Sequence, residues 1–230
     1  MRKKALKAAI PYTIPIFAGY AFLGMSYGVL MTASGFPFWF PILTSIAIFA
    51  GSMEFVTVNL LLGAFDPVQA FLMTLMINAR HLFYGISMLE QYKSLGLKRL
   101  YLIFGLTDET FSVACTVQPP EDVDRGWFSF FVTLLDHSYW VLGATLGGIF
   151  GSLLHFNTEG LDFVMTAMFV VIFVEQWLKE KDHIPTLLGL LLPVGALMLM
   201  GPERFMIPAM AAILAALTLL RKPLERRCAA

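Results

Sequence analysis

The 230-residue chain is 58% hydrophobic and 14% charged, with a mean hydropathy of +0.74. Since a soluble domain carries charge on roughly a quarter of its residues, this composition excludes an ordinary water-soluble protein. Sixteen basic residues balance sixteen acidic ones, so no global field suggests nucleic acid as a partner. Two cysteines, Cys115 and Cys228, are too few and too far apart for a disulfide framework or a metal site.

Long apolar runs predict an all-α fold, a polytopic transmembrane bundle that forms one transporter domain over residues 1–230. About 18 apolar residues suffice for a membrane-spanning helix, whereas a barrel would show short strands of alternating polarity. The chain offers about seven or eight such segments by this criterion. They cover residues 12–33, 38–64, 68–89, 101–117, 127–152, 161–178, 184–200 and 205–220.

Glycines in the first and fifth runs predict close contacts between helices, because small residues let two backbones approach. The glycines concerned are Gly19, Gly24 and Gly28 in the first run and Gly143, Gly147 and Gly151 in the fifth.

The second run contains F-A-G-S-M-E-F at residues 49–55, where Gly51-Ser52 could break the helix and Glu54 is buried. Broken helices at membrane depth expose backbone dipoles to a substrate. The alternative is a straight helix with a glycine packing contact, in which Glu54 faces a wet interface. The two interpretations remain open at this point.

The third run contains M-I-N-A-R-H-L-F-Y-G-I-S-M at residues 76–88, which places three polar groups among apolar ones: Asn78, Arg80 and His81. Charged groups at membrane depth are costly and need a partner. On a helix, Arg80 and Tyr84 share a face next to that of Asn78 and His81. This pattern favours the polar wall of a substrate pathway, in which His81 exchanges a proton near neutral pH. The alternative is a permanent ion pair that joins two helices.

Acidic residues in the fourth and fifth runs supply candidate partners. Asp108 and Glu109, in T-D-E-T, are the best candidates to pair with Arg80, and the same pattern is typical of a helix N-terminus. Asp136 and His137 form a second acid–imidazole set, or equally an interhelical hydrogen bond. Glu175 ranks lower, because the charged residues that follow it suggest the membrane edge.

Basic residues at both ends of the chain place both termini in the cytoplasm by the positive-inside rule. The loop at residues 90–99 also carries a positive excess. A cytoplasmic loop there conflicts with a cytoplasmic N-terminus followed by three full crossings, so we expect one early run to be re-entrant.

A short internal match suggests duplication. Residues 26–30 read S-Y-G-V-L and residues 138–142 read S-Y-W-V-L. Transporters are often built from repeats with the site at their interface, which predicts two repeats, at 12–100 and 127–220.

Enzyme motifs are missing from the sequence, which has no G-x-S-x-G, H-E-x-x-H, Walker or glycine-rich dinucleotide pattern. The four histidines are too dispersed for a metal site. We therefore expect no catalytic residues, no metal and no cofactor.

Three motifs, F-A-G-S-M-E-F-V, I-N-A-R-H-L-F-Y-G-I-S-M and L-T-D-E-T-F-S-V, resemble the AzlC-type large subunits of branched-chain amino acid permeases. The resemblance covers nearly the whole chain. It implies export of leucine, isoleucine and valine across the bacterial inner membrane with a small hydrophobic AzlD-type subunit. It carries over the motif residues Asn78, Arg80, His81, Asp108 and Glu109. The family commonly has glutamine where this chain has Glu54, which leaves the exact substrate open.

A zwitterionic substrate needs an acceptor for its ammonium group and donors for its carboxylate. Asp108, Glu109 or Glu54 could meet the ammonium, and Arg80 or free backbone amides the carboxylate. An apolar wall gains about 0.8 kcal/mol per buried methylene, so it discriminates weakly among leucine, isoleucine, valine and methionine. Proton antiport through His81 or a carboxylate is the coupling we consider. Two alternatives remain: a channel or exporter for another small solute, and a non-transporting scaffold subunit.

Overall fold

The computed structural model describes residues 2–64, 66–153, 183–201 and 205–220, and isolated positions between 163 and 178. All regular structure in these residues is helical, which confirms the predicted all-α class. The sixth apolar run and Glu175 lie outside the continuously described residues. Ten helices are described: α1 (Arg2–Ala33), α2 (Trp39–Ala47), α3 (Gly51–Leu62), α4 (Pro67–Ile77), α5 (Ala79–Tyr92), α6 (Lys98–Phe104), α7 (Asp108–Thr116), α8 (Arg125–Leu153), α9 (Ile184–Met200) and α10 (Met206–Leu219).

The chain divides into two compact units, residues 1–165 and 166–230. The first contains α1 to α8 and all nine predicted site residues. In the second, α9 and α10 pack against each other.

Helices α1 and α8 pack side by side and run in the same direction. Near their starts the rings of Tyr12 and Phe128 lie 5.9 Å apart, and one to two turns further along α1 the ring of Phe17 lies 4.9 Å from that of Tyr139. Near their ends Thr32 lies against Gly151. This pair forms the frame of the first unit.

Glycine permits the close approach of α1 and α8. A Cβ atom on Gly24 would lie 2.9 Å from the carbonyl oxygen of Trp140, and one on Gly143 would lie 2.8 Å from that of Ala21. The small-residue face predicted from the sequence is therefore confirmed, with one correction. Gly19 faces open space, because it lies on the side of α1 that points away from α8.

Three of the predicted runs are interrupted helices. The second run breaks at residues 48–50, between α2 and α3, where Phe49 has a φ of +45°. This confirms the broken-helix interpretation, with the break just before Gly51. The fourth run breaks at residues 105–107, between α6 and α7. The third run, expected to be one helix, also breaks, at Asn78 between α4 and α5.

The α6–α7 segment enters and leaves the first unit at the same end. At the start of α6 the Lys98 ammonium lies 4.3 Å from the ring centre of Trp127, near the start of α8. At the break, Gly105 meets the side chain of Thr133, two turns further along α8. Helix α7 then returns, and Val113 packs against the cluster of Ala9, Phe128 and Val132. The fourth run therefore enters and leaves at one end. The re-entrant run expected from the charge pattern lies before residue 90, so the fold of the fourth run does not test that prediction.

The basic N-terminus lies at this same end. Arg2 lies over the ring of Trp127, with its guanidinium carbon 4.3 Å from the ring centre, and Lys4 pairs with Asp122 at 2.7 Å. The hydrogen bond and the positive charge of Lys4 lower the pKa of that exposed carboxyl. Lys98, in the basic loop at residues 90–99, therefore lies at the same end of the first unit as the basic N-terminus.

Among the described helices, α1 is the one long and apolar enough to cross a membrane by length and composition alone. Three shorter apolar helices are Gly51–Leu62, Pro67–Ile77 and Ile184–Met200. The interruptions shorten the other helices, so the predicted number of crossings stays a prediction.

Candidate functional site

Arg80 and Asp108 form an ion pair between the first turns of α5 and α7. The Arg80 Nη2 atom lies 3.0 Å from Asp108 Oδ2, and each side chain is about one-third exposed. The Tyr84 hydroxyl donates to the other carboxylate oxygen at 2.8 Å, and its ring stacks on Phe111 with centroids 4.2 Å apart. The pairing of Arg80 with Asp108 expected from the sequence is observed, and Tyr84 joins it.

The N-terminal turns of α5 and α7 explain the position of this pair. Asp108 follows Thr107, whose side chain accepts from the Thr110 amide in a reciprocal capping box. An acidic residue in a first turn is stabilised by the positive end of the helix dipole. The T-D-E-T motif is thus both the helix start and the source of the carboxylate, as the sequence suggested.

Asn78 and His81 lie beside this pair and do not join it. Asn78 ends α4 and precedes α5, so it does not share a helical face with His81 as predicted. The ring of His81 meets that of Tyr84 edge-on, with centroids 5.6 Å apart. His81 also lines a groove of about 640 Å³ along α5 and α6.

The groove has a mostly apolar lining, with charged residues at one end. Met88, Ile103 and Leu106 contribute to the walls, whereas Glu90 and Arg99 lie toward the polar end. Its volume falls within the range of small-molecule sites, about 300–1,000 Å³. It runs from His81 toward the end of the first unit that holds the basic residues.

Glu109 has a different partner from Asp108. The Tyr20 hydroxyl of α1 donates to Glu109 Oε2 at 2.5 Å and also lies 3.0 Å from the Thr107 hydroxyl. The sequence offered both Asp108 and Glu109 as partners of Arg80, and the prediction is wrong for Glu109, which bonds to Tyr20 instead. Successive residues in a first turn point in different directions, so Asp108 faces α5 whereas Glu109 faces α1.

Glu54 is fully buried in the first turn of α3. Its Oε1 atom accepts from the indole nitrogen of Trp140 at 2.9 Å and from the Ala50 amide at 3.2 Å. Its Oε2 atom has no hydrogen-bond partner among the described residues. The ring of Trp140 in turn packs edge-on against Tyr20. Trp140 and Tyr20 therefore connect Glu54, beside the α2–α3 break, with Glu109, beside the α6–α7 break.

Asp136 and His137 are neighbours in α8 that point apart. His137 donates from Nε2 to the Ser45 carbonyl oxygen at 3.2 Å, and its Nδ1 lies 3.0 Å from the Tyr101 hydroxyl. Asp136 is fully buried, and neither of its oxygens has a hydrogen-bond partner in the described part of the chain. They form no acid–imidazole pair. The interhelical hydrogen bond weighed as the alternative is the one His137 makes.

Sequence reasoning missed the residues that organise the site from α1 and from the breaks. Tyr20 and Trp140 each donate a hydrogen bond to a predicted carboxylate. Phe49, in the left-handed backbone region, stacks on His137 with centroids 4.3 Å apart. Non-glycine residues strained in this way cluster at functional sites. An aromatic residue in an apolar helix carries no sequence signal that distinguishes it from a core residue.

Comparison with known proteins decides the family. The family model described as AzlC protein matches residues 15–154. A relative from Bacillus subtilis strain 168, named branched-chain amino acid transport protein AzlC, is 63% identical over 222 residues, covering 96% of this chain and 87% of the relative. The chain belongs to the AzlC family. The resemblance inferred from the motifs is therefore confirmed.

Other AzlC relatives bear membrane names. A protein of Haemophilus influenzae named as an uncharacterized membrane protein is 48% identical, covering 97% of this chain and 92% of the relative. The Escherichia coli inner membrane protein YgaZ is 27% identical, covering 85% of this chain and 80% of the relative. No solved structure matches the chain. This AzlC-family protein is a membrane protein, and the matched region contains all nine predicted site residues.

Proposed function

We propose that this protein is a secondary transporter that exports leucine, isoleucine and valine, with methionine as a further substrate. In this proposal it acts in the bacterial inner membrane, with both termini in the cytoplasm, as the large subunit of a permease with a small hydrophobic AzlD-type subunit. It acts as a transporter and not as an enzyme. The observation that carries the proposal is the 63% identity, over nearly the full chain, to a protein named for branched-chain amino acid transport.

The Arg80–Asp108 pair supplies the two charges that a zwitterion needs. Asp108 offers carboxylate oxygens to an ammonium group, and Arg80 offers donors to a carboxylate. The Nε atom of Arg80 is buried without a hydrogen-bond partner in the part of the chain described, so the guanidinium keeps an unused donor in this conformation. Both residues lie in first turns, where free backbone amides also favour an anion.

The groove along α5 and α6 supports the apolar half of the substrate. It begins at His81, the residue after Arg80, and most of its apolar lining is aliphatic, including Leu82 and Ile86. An aliphatic wall accepts leucine, isoleucine, valine and methionine with small differences in free energy, since each methylene contributes about 0.8 kcal/mol. The geometry therefore favours a class of branched and unbranched apolar amino acids over a single one.

The breaks between helices support alternating access. Interrupted helices let a half-helix move while the rest of the bundle stays packed. The ion pair joins two such half-helices, α5 and α7, so a substrate that replaces one partner of the pair would loosen their contact. We propose that this exchange of partners permits the change between inward-open and outward-open states.

Efflux from dipeptide-loaded cells tests the proposal. Cells that express the chain with its small subunit are loaded with leucine-, valine- or methionine-containing dipeptides, and the release of each amino acid is followed. We expect faster release than from empty cells. Asp108→Asn should reduce the rate about tenfold or more. Losing one partner of a buried charge pair costs about 2–5 kcal/mol, and we expect the lower part of this range because the Arg80–Asp108 pair is partly exposed.

Asp122→Asn is the matched control. It makes the same chemical change in an exposed ion pair with Lys4, so efflux should equal that of the unmodified protein at equal membrane levels. Release equal to that of empty cells would point to another solute. Efflux that is unaffected by Asp108→Asn would show that the Arg80–Asp108 pair does not take part in transport.

A further inference from the structure

Among the acidic candidates that the structure describes, Asp136 is the one whose carboxylate oxygens accept no hydrogen bond. Asp108 accepts from Arg80 and Tyr84, Glu109 accepts from Tyr20, and Glu54 accepts from Trp140 and the Ala50 amide. Asp136 has no exposed surface, and both its oxygens are without a hydrogen-bond partner among the described residues. The four carboxyl groups are therefore not equivalent.

The surroundings of Asp136 oppose a negative charge. From α7, Glu109 is the charged group that interacts with it electrostatically, and the interaction is repulsive when both are ionised. From α1, the neighbouring titratable group is Tyr20, whose hydroxyl donates to Glu109. His137, next to it on α8, directs both ring nitrogens elsewhere. Among the described residues, no cation interacts with Asp136.

An ionised carboxylate without donors or a counter-ion is costly to bury, and such a group becomes neutral instead. Membrane proteins retain ionisable groups at such positions mainly where they relay protons or bind ions. Asp136 lies at the level of the α6–α7 break, since Gly105 meets Thr133 one turn away. The same break is where α7 begins with Asp108, which is proposed to meet the substrate ammonium group.

We propose that Asp136 is the proton-binding site that couples transport to a proton gradient. In the conformation described here one of its oxygens carries the proton. When the site opens to water, that O–H bond breaks, the proton leaves to water, and the carboxylate remains until it binds a proton from the other side. The inference rests on the proposed transport function and names its coupling residue.

Separating exchange from driven transport tests this assignment. The full chain and its small subunit are reconstituted into vesicles, and leucine counterflow at equal pH is compared with leucine accumulation driven by a pH gradient. In Asp136→Asn, which imitates the protonated acid, we expect counterflow within about twofold of the unmodified protein. Gradient-driven accumulation should be lost. Asp136→Glu, which restores a titratable group, should recover part of it.

Two results would overturn the assignment. Gradient-driven accumulation that survives in Asp136→Asn would show that the proton binds elsewhere. Loss of counterflow in a variant that still elutes as a folded protein would assign Asp136 to the substrate ammonium instead. Asp122→Asn is again the matched control and should change neither rate.

A spectroscopic measurement separates this inference from the transport proposal. Infrared absorption of the purified protein at neutral pH should contain a protonated-carboxyl stretching band that weakens in Asp136→Asn and not in Asp122→Asn. If the unmodified protein moves no leucine but the band behaves in this way, the transport proposal fails and the protonated state of Asp136 stands. An unchanged band in Asp136→Asn would refute the proton site directly.

Discussion

At the scale of single residues, the site depends on charged side chains that need a partner. The partner of Arg80 could be inferred from the sequence, because a guanidinium among leucines and methionines must be paired and T-D-E-T offers acids. The partners of Glu54 and Glu109 could not be inferred. Trp140 lies 86 residues from Glu54, and Tyr20 lies 89 residues from Glu109. A tryptophan or tyrosine in an apolar run does not by itself indicate a polar role.

A double-mutant cycle on the Arg80–Asp108 pair follows from this view. Arg80→Gln and Asp108→Asn should each lower the melting temperature in detergent, because each leaves one charge without its partner. The double variant should be more stable than the sum of the two losses predicts. The coupling free energy should fall between about 0.5 and 3 kcal/mol, as for contacting groups.

The exposed pair of Lys4 and Asp122 provides the control cycle. Its side chains are 64% and 62% exposed, and exposed ion pairs contribute about 0–1 kcal/mol. Lys4→Gln and Asp122→Asn should therefore show weaker coupling than Arg80→Gln and Asp108→Asn. Equal coupling in the two cycles would mean that the Arg80–Asp108 pair is an ordinary surface contact.

At the scale of helices, the sequence predicted some interruptions and missed others for identifiable reasons. Gly51-Ser52 follows an apolar run and signals a break, and T-D-E-T signals a helix start. Asn78 gives a weaker signal, since asparagine is tolerated within helices and its neighbours favour one. The register of α1 against α8 could be anticipated as a glycine face, but which glycines face α8 depends on the rotation of each helix.

Alanine substitutions at two glycines of α1 test this register. Alanine is more favourable than glycine in a helix interior by about 0.8–1 kcal/mol. Gly19 faces open space, so Gly19→Ala should leave stability equal or raise it. Gly28 lies against the backbone of Ala144 and Gly148, so Gly28→Ala should force the helices apart and cost about 1–3 kcal/mol.

Thermal unfolding in detergent measures both variants, and they serve as controls for each other because they make the same change in one helix. We expect the unfolding temperature to stay equal or rise in Gly19→Ala and to fall in Gly28→Ala. A stabilising or neutral Gly28→Ala would contradict the close packing of α1 on α8.

The start of α7 depends on one hydroxyl. Thr107 caps the helix and also lies within hydrogen-bond distance of Tyr20. Thr107→Val keeps the shape of the side chain but removes the oxygen, so we expect a loss of about 0.5–2 kcal/mol from the cap. Thr107→Ser keeps the oxygen and should restore most of the stability. Equal unfolding temperatures for the valine and serine variants would show that the hydroxyl has no such role.

At the scale of the first unit, parallel packing of α1 and α8 determines which segments share a side of the membrane. With 32 and 29 residues, these helices are about 48 and 44 Å long at 1.5 Å per residue, more than the hydrocarbon thickness of about 30 Å. We therefore expect their starts to lie on one side of the membrane and their ends on the other. The α5–α6 loop shares the side of the starts, because Lys98 and Arg2 both contact Trp127.

Cysteine accessibility tests this arrangement in cells. In a background with Cys115→Ser and Cys228→Ser, single cysteines are placed at exposed positions near the starts of α1, α6 and α8 and near the ends of α1 and α8. These substitutions are Lys3→Cys, Lys93→Cys, Glu121→Cys, Ala33→Cys and Ser152→Cys. The first three should react with a membrane-impermeant maleimide only in inverted vesicles, since basic residues favour the cytoplasmic side. The last two should react in intact cells. Labelling of Lys93→Cys from the side opposite to Lys3→Cys would exclude the re-entrant α6–α7 segment, because that segment requires both positions to lie at the end where α8 begins.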